Sequence, residues 1–319
     1  MAKKDGSWLG LGLVLLATVL WSTSSMFITW VMRSTGMTAL GLAFWRVLIS
    51  GLILAAPMLV AAPRMLRVER RDWPWLAGMG MLAVGPLQVF WMRSVVLNGA
   101  SVSTVMQCTA PIIVAILAWV FWREPLTWHK WVAIALALGG AALIAGLAGA
   151  GAAGNIRMTP TGLVTVLAVA VAYAGVTLFA KQLTGRYSPW TIWTYGFLFA
   201  AVVLAPFQVG AAHPAHLGRV AIGSFAGLVL ITTIAGYGIY TVELRRMQAS
   251  VASIVAMFEA PCASFWGYAV LGERLNGLQV VGAVLVLGGS ILLAARFRGE
   301  HAPAQPAHGL AAGSEAQST

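Results

Sequence analysis

Residues 100–126 read ASVSTVMQCTAPIIVAILAWVFWREPL, and residues 249–275 read ASVASIVAMFEAPCASFWGYAVLGERL. Each stretch opens on Ala-Ser-Val, and the openings, Ala100 and Ala249, are 149 residues apart. Arg123-Glu124-Pro125-Leu126 is echoed at the same distance by Gly272-Glu273-Arg274-Leu275. Beyond the two stretches, Leu138-Gly139-Gly140 returns as Leu287-Gly288-Gly289. Several anchors in one order and at one spacing mark an internal repeat. One detail departs from it: Pro111 is followed by Pro261, a spacing of 150. A proline moved by one residue turns its kink by about 100° around a helix, so the ninth apolar run should present a different face from the fourth.

Both quoted stretches are apolar runs about as long as a helix needs to cross a bilayer. Comparable runs lie near 8–31, 38–60, 74–97, 100–121, 129–148, 161–183, 190–209, 219–241, 249–271 and 276–296. Of the 319 residues, 60% are hydrophobic and 9% charged, whereas soluble domains carry about 25% charge. Lipid must therefore be the solvent for most of the chain, and continuous runs in lipid must be helical. Lys3 and Lys4 precede the first run as they would a signal peptide. That run is too long for an h-region, lacks an A-x-A site and is followed by nine more.

Charge sets the orientation. With ten spans and an inside N-terminus, fourteen of the twenty Lys and Arg fall inside, five outside, and Arg46 within the second span. By the positive-inside rule both termini are cytoplasmic. Each repeat then holds five spans, an odd number, so the second half enters the membrane upside down. The expected fold is an all-α membrane protein with ten transmembrane helices as two inverted five-helix repeats. Residues 1–148 form the first repeat, 149–160 a linker, 161–298 the second repeat, and 299–319 a disordered cytoplasmic tail. Two such halves can lean either way at similar energy, which leads to alternating access to a site between them.

Other classes fit poorly. The net charge of +11 is distributed between apolar runs rather than in a basic patch, so no nucleic-acid partner is expected. Cys108 and Cys262 read as small buried hydrophobes, and the five histidines lie outside or at the edges of the runs without HExxH spacing. No metal site and no cofactor are expected. An embedded enzyme would need a nucleophile–base or metal constellation, and none is visible. A channel lacks a repeated filter segment, and ATP drive lacks a GxxxxGK[ST] motif.

Val19-Leu20-Trp21-Ser22-Thr23, Arg46, the segment ending at Glu124 with Gly139-Gly140, and the second copy's Glu259, Glu273 and Gly288-Gly289 resemble the drug/metabolite transporter superfamily, in its EamA-type members. The resemblance covers roughly residues 8–296. Its second copy usually reads Glu-Pro where this chain reads Glu259-Ala260-Pro261. The VLWST start is also similar to YddG-like aromatic amino-acid exporters. The resemblance implies a ten-helix carrier with a central cavity, and a family whose substrates include amino acids, nucleotide-linked sugars and drugs.

Glu259 is the sharpest candidate for function. A charge at mid-membrane is costly unless paired or wetted, so this carboxyl should either couple protons or hold a substrate amine. A structural role beside Pro261 is the bland alternative. Arg46 could grip a substrate carboxylate, but pairing with Glu259 or capping carbonyls is the favoured reading. Glu124 and Glu273 precede the fifth and tenth helices, where carboxylates complement positive N-terminal ends. With Pro111 and Pro261 these are expected to be structural marks. Trp21, Ser22 and Ser25, Gln88 and Trp91, Gln107, Tyr173 and Tyr237 are polar or aromatic groups deep in the runs, and together they describe a pocket. Gly223 and Gly227 form a small-xxx-small pattern suited to close helix packing, and eight tryptophans at run ends suit the membrane interface.

The expected function is secondary active export of small metabolites such as amino acids, with a drug or amine efflux carrier of the same fold as the alternative. The expected setting is a multi-pass protein of a bacterial plasma (inner) membrane. Its partners would be the lipid bilayer, a small-molecule substrate and a proton, with the chain acting as monomer or homodimer.

Overall fold

A computed structural model of the chain describes residues 6–98, 103, 107–144, 159–209, 218–271 and 277–300. Among the described residues there are helices and no strands. Within the described residues, seven helical runs are long and apolar enough to cross a membrane: Gly10–Thr35, Ala39–Ala61, Arg70–Ser94, Pro160–Thr184, Pro189–Gln208, Arg219–Leu244 and Ala249–Val270. Three shorter apolar helices, Ala110–Trp122, Trp128–Ile144 and Gly277–Leu293, fall on the other expected runs. Leu59, Val60, Phe121, Val164, Val171 and Ile291 stand exposed around the bundle. An apolar belt of this kind would aggregate in water and is satisfied in lipid, so this is an integral membrane protein.

The helices are α1 (Gly6–Ser22), α2 (Ser24–Thr35), α3 (Ala39–Ala61), α4 (Trp73–Gly78), α5 (Gly85–Asn98), α6 (Ala110–Trp122) and α7 (Trp128–Ile144). The second half holds α8 (Pro160–Thr184), α9 (Pro189–Leu204), α10 (Arg219–Gly227), α11 (Gly236–Leu244), α12 (Ala249–Ala256), α13 (Glu259–Leu271) and α14 (Gly277–Glu300). Local chemistry sets several starts. The hydroxyls of Thr38, Thr159 and Ser188 accept from the backbone N–H groups of Gly41, Gly162 and Trp190, and Pro160 and Pro189 occupy first turns. Helix α14 continues to Glu300, slightly into the segment expected to be a tail. Residues 145–158, 272–276 and 301–319 lie outside the described residues, and with them most of the expected linker and tail and Glu273.

The 149-residue spacing is visible in the backbone itself. Two π-helical segments, Met79–Val84 and Leu228–Ala235, begin 149 residues apart. Their causes differ. In the first, Pro86 removes an N–H from the ladder, and Gly85 N–H bonds the carbonyl five residues back at Gly80. In the second, the Thr232 and Thr233 hydroxyls both donate to the Leu228 carbonyl, at 2.7 and 2.8 Å. Helices α7 and α14 also begin at equivalent positions, Trp128 and Gly277, and pack against one another.

That packing has two-fold character. A Cβ on Gly140 would lie 2.5 Å from the Gly282 carbonyl oxygen, and one on Gly289 would lie 2.9 Å from that of Ala133. Gly140 and Gly289 are repeat-equivalent, as are Ala133 and Gly282. Residue i thus meets the mate of j, and j meets the mate of i, as an isologous contact requires. Elsewhere, equivalent Gly78 and Gly227 each press on a phenylalanine of the other half, Phe179 and Phe27. Both are phenylalanines of the half's first apolar run. Gly227 therefore serves packing within the chain, while nothing lies within 4 Å of the Gly223 position.

Three of the expected runs are interrupted by turns among the described residues. The first breaks at Thr23, between α1 and α2. The hydroxyls of Thr18, Ser22, Thr23 and Ser25 each donate to the carbonyl three residues back, and this competes with the helical ladder. Its counterpart α8 runs unbroken. The ninth run breaks at Met257-Phe258, between α12 and α13, and the fourth turns at Cys108-Thr109. These breaks are 149 residues apart, although their prolines are not. The displaced proline therefore does not displace the break. Bonds three residues back, from Met257, Phe258 and Ala260 to Ile254, Val255 and Met257, tighten this stretch just ahead of Pro261.

Candidate functional site

One end of the bundle gathers the loop before α4, the α6–α7 and α8–α9 connections, and residues 245–248. It is called the basic end here for its Arg64, Arg67, Arg70, Arg71, Lys130, Lys181, Arg186, Arg245 and Arg246. Cross-links between the halves hold it together. The buried Asp72 carboxylate accepts from Arg186 Nη1 at 2.6 Å and from the Tyr187 hydroxyl at 2.7 Å. Thr191 and Tyr195 donate to the carbonyls of Met65 and Leu66.

Toward the middle and the opposite end lies a cavity of ≈ 330 Å³. Its wall repeats the internal symmetry. Ser24 and Tyr173, Gln88 and Tyr237, Gln107 and Ala256, Cys108 and Met257, and Pro111 and Ala260 all line it, and each pair is 149 residues apart. A cavity lined by five pairs of equivalent positions sits on the axis that relates the halves. The side chains within each pair differ, so the frame is nearly symmetric and the chemistry is not.

The charges are the largest asymmetry. Glu259, at the start of α13, and Arg46, on α3, both face the cavity. Their repeat mates do not: Ala110 is buried elsewhere, and the Tyr195 hydroxyl bonds the Leu66 carbonyl at the basic end. The Tyr173 hydroxyl donates to Glu259 Oε2 over 3.4 Å, a long bond. No ion pair joins Arg46 to Glu259 among the described residues, so the expected pairing is not made in this conformation. Arg46 Nε and Trp21 Nε1 are buried with no hydrogen-bond partner among the described residues. Unmatched donors of this kind suit a site that expects a ligand or water.

Aromatic packing shapes the other wall. The Trp21 ring meets Tyr237 with centroids 4.8 Å apart and Tyr240 at 5.0 Å, and Tyr237 meets Trp193 at 4.4 Å. Gly236 makes this possible, because a Cβ there would lie 2.7 Å from the indole of Trp21.

Of the candidates read from sequence, Glu259, Trp21, Ser25, Gln88, Trp91, Gln107, Tyr173 and Tyr237 lie on the cavity wall. Ser22 does not. It is buried, donates to the Val19 carbonyl and accepts from Trp266 Nε1 at 3.0 Å, so it serves helix packing. Pro111 is on the wall, while Pro261 is replaced there by Ala260 and Ala263. Cys108, expected to be buried, also faces the cavity. Sequence reasoning passed over Ser24, Thr232, Thr233, Ser253 and Met257. The 149-residue shift applied to Tyr173 would have found Ser24, and applied to Cys108 would have found Met257. Glu124 sits well away from the cavity and does not cap the following helix. Its carboxylate accepts from the N–H groups of Ala249 and Ser250, at 2.7 and 3.2 Å, at the head of α12 in the other half.

The EamA-like transporter family matches residues 8–146 and again residues 160–295. The chain belongs to the EamA-like transporter family. It is 28% identical over 300 residues to an uncharacterised transporter, YwfM, of Bacillus subtilis, covering 92% of this chain and 96% of that one. It is also 28% identical over 288 residues to a protein of Streptantibioticus cattleyicolor named as a probable terminal-alkyne amino-acid exporter, covering 90% and 93% of the two chains. An uncharacterised transporter of Archaeoglobus fulgidus shares 30% identity over 223 residues, 70% of this chain and 78% of that one. A solved crystal structure superposes with a TM-score of 0.72 over 90% of this chain and 98% of its own, at 18% identity, and so shares the fold. EamA-like membership makes the drug/metabolite transporter superfamily the wider relationship, and a transporter role the general function.

Proposed function

We propose that this EamA-like protein is a secondary carrier that moves a small zwitterionic, amphipathic metabolite of the amino-acid type out of the cell by alternating access. On this reading the chain crosses a bacterial inner membrane ten times, its halves are inverted, and both termini lie in the cytoplasm. The excess of Lys and Arg at the basic end supports that orientation, and the exchanged contacts of Gly140 and Gly289 support the two-fold plan.

One observation carries the substrate class: a single small cavity holds one carboxyl and one guanidinium that do not bond each other. Glu259 is suited to an ammonium group and Arg46 to a carboxylate, while Trp21, Trp91, Tyr173 and Tyr237 offer aromatic surface to a side chain. A volume of ≈ 330 Å³ is at the low end of the roughly 300–1,000 Å³ usual for small-molecule sites, which disfavours nucleotide-linked sugars. The name of the Streptantibioticus relative points the same way. Purified protein in proteoliposomes should exchange radiolabelled amino acids with saturation, and esters and decarboxylated amines should compete poorly. If free amines compete as well as amino acids, the amine-efflux reading replaces this one, since a carrier that ignores the carboxylate has no use for Arg46 in its cavity.

A further inference from the structure

A short helix lies between the cavity and the basic end. Every residue of α12, Ala249–Ala256, is buried. At about 1.5 Å per residue it is roughly 12 Å long. Its last turn reaches the cavity at Ser253 and Ala256, and Glu259 follows directly after the break. Its first turn is held by a buried polar cluster contributed by both halves.

Glu124, from the end of α6, bonds the two leading N–H groups of α12 and also accepts from the Ser250 hydroxyl at 2.5 Å. Lys130, on α7, donates to the Pro125 carbonyl, Gln248 Oε1 and Ser250 Oγ, at 2.8, 2.7 and 2.7 Å. Its Nζ lies 4.0 Å from Glu124 Oε2. The side chains of Glu124 and Lys130 are only 8% and 4% exposed. Next to this cluster Lys181 donates to the carbonyls of Leu244 and Met247 and ties down the loop leading into α12.

A satisfied buried cluster of charges has two stable conditions: wholly made, or broken open to water. Intermediate states leave a charge uncompensated in a dry site. The positive N-terminal end of α12 adds to the preference for the made state in the presence of the carboxylate. The contacts cross the very boundary between halves that alternating access must open. We propose that Glu124, Lys130 and Ser250 form a latch that seals the cavity at the basic end, and that releasing it from the head of α12 opens the cavity on that side. Glu124 and Lys130 are then positioning residues for transport, and the helix they hold links the seal to Glu259. The inference rests on the alternating-access reading above.

Cys108 on the cavity wall supplies the reporter, in a Cys262→Ala background. Inverted and right-side-out membrane vesicles are treated with a membrane-impermeant thiosulfonate, and labelling of Cys108 is followed by mass spectrometry. In the parent protein labelling should come predominantly from the face opposite the basic end. Glu124→Gln and Lys130→Met should raise labelling from the basic-end face by about tenfold, as expected for the loss of a charge-assisted contact. Ser250→Ala, which removes one hydroxyl, serves as a milder variant should either charge change prevent folding, as judged by size-exclusion chromatography. Unchanged sidedness in folded variants overturns the latch. Amino-acid flux in proteoliposomes that fails to saturate would instead overturn alternating access itself, so the two failures are distinct.

Discussion

At the scale of single residues, the cavity depends on two charges with different neighbours. Among the described residues the Glu259 carboxyl has only the Tyr173 hydroxyl as a hydrogen-bond partner, at 3.4 Å, which leaves it open to a proton or an ammonium group. Glu259→Gln keeps the shape and removes both options. Transport in proteoliposomes should fall at least tenfold, and its dependence on pH between about 6 and 8 should flatten. Wild-type rates across that range in the variant would remove Glu259 from the mechanism. Arg46→Lys keeps the charge and removes the planar fork. The apparent KM for amino acids should rise about tenfold, with little change for any weakly transported amine. A parallel loss for both substrates would instead make Arg46 a structural group. Arg46 was legible as an intramembrane charge from the sequence, but not its position. Helical periodicity cannot say which neighbour a side chain on the second run will face.

At the scale of helices, the pair α7 and α14 tests the two-fold packing. Gly140 has no room for a methyl group, since its Cβ would lie 2.5 Å from the Gly282 carbonyl, whereas nothing lies within 4 Å of the Gly139 position. Gly140→Ala should destabilise the detergent-solubilised protein by about 1–3 kcal/mol, seen as a lowered melting temperature. Gly139→Ala should be neutral or slightly stabilising, as alanine suits a helix better than glycine. Equal melting temperatures for the two variants would contradict the close approach. The sequence showed Gly139-Gly140 and Gly288-Gly289 as repeated pairs, but their neighbours are more than a hundred residues distant. Breaks within helices were partly legible. Pro111 and Pro261 suggested kinks, whereas the π segment at Leu228–Ala235 contains no proline and depends on two threonine hydroxyls.

At the scale of the whole molecule, the proposed plan requires both chain ends to lie on one side of the membrane. Reporter fusions at the N- and C-termini, one active only in the cytoplasm and one only outside it, should both report the cytoplasm. Opposite locations would exclude an even number of crossings and with it the inverted arrangement.

Several properties were determined by the sequence alone: an apolar chain solved by lipid, a repeat of 149 residues, and membership of a transporter family. These depend on composition and on spacing along the chain, which need no knowledge of contacts. Only the tertiary structure decided that equivalent positions face one another across a single cavity, and that Arg46 stands in it unpaired with Glu259. It alone showed that Glu124 holds a helix of the opposite half rather than the next one along. These depend on distances between residues remote in the chain, where packing and the demand to satisfy every buried polar group select partners that local pattern does not specify.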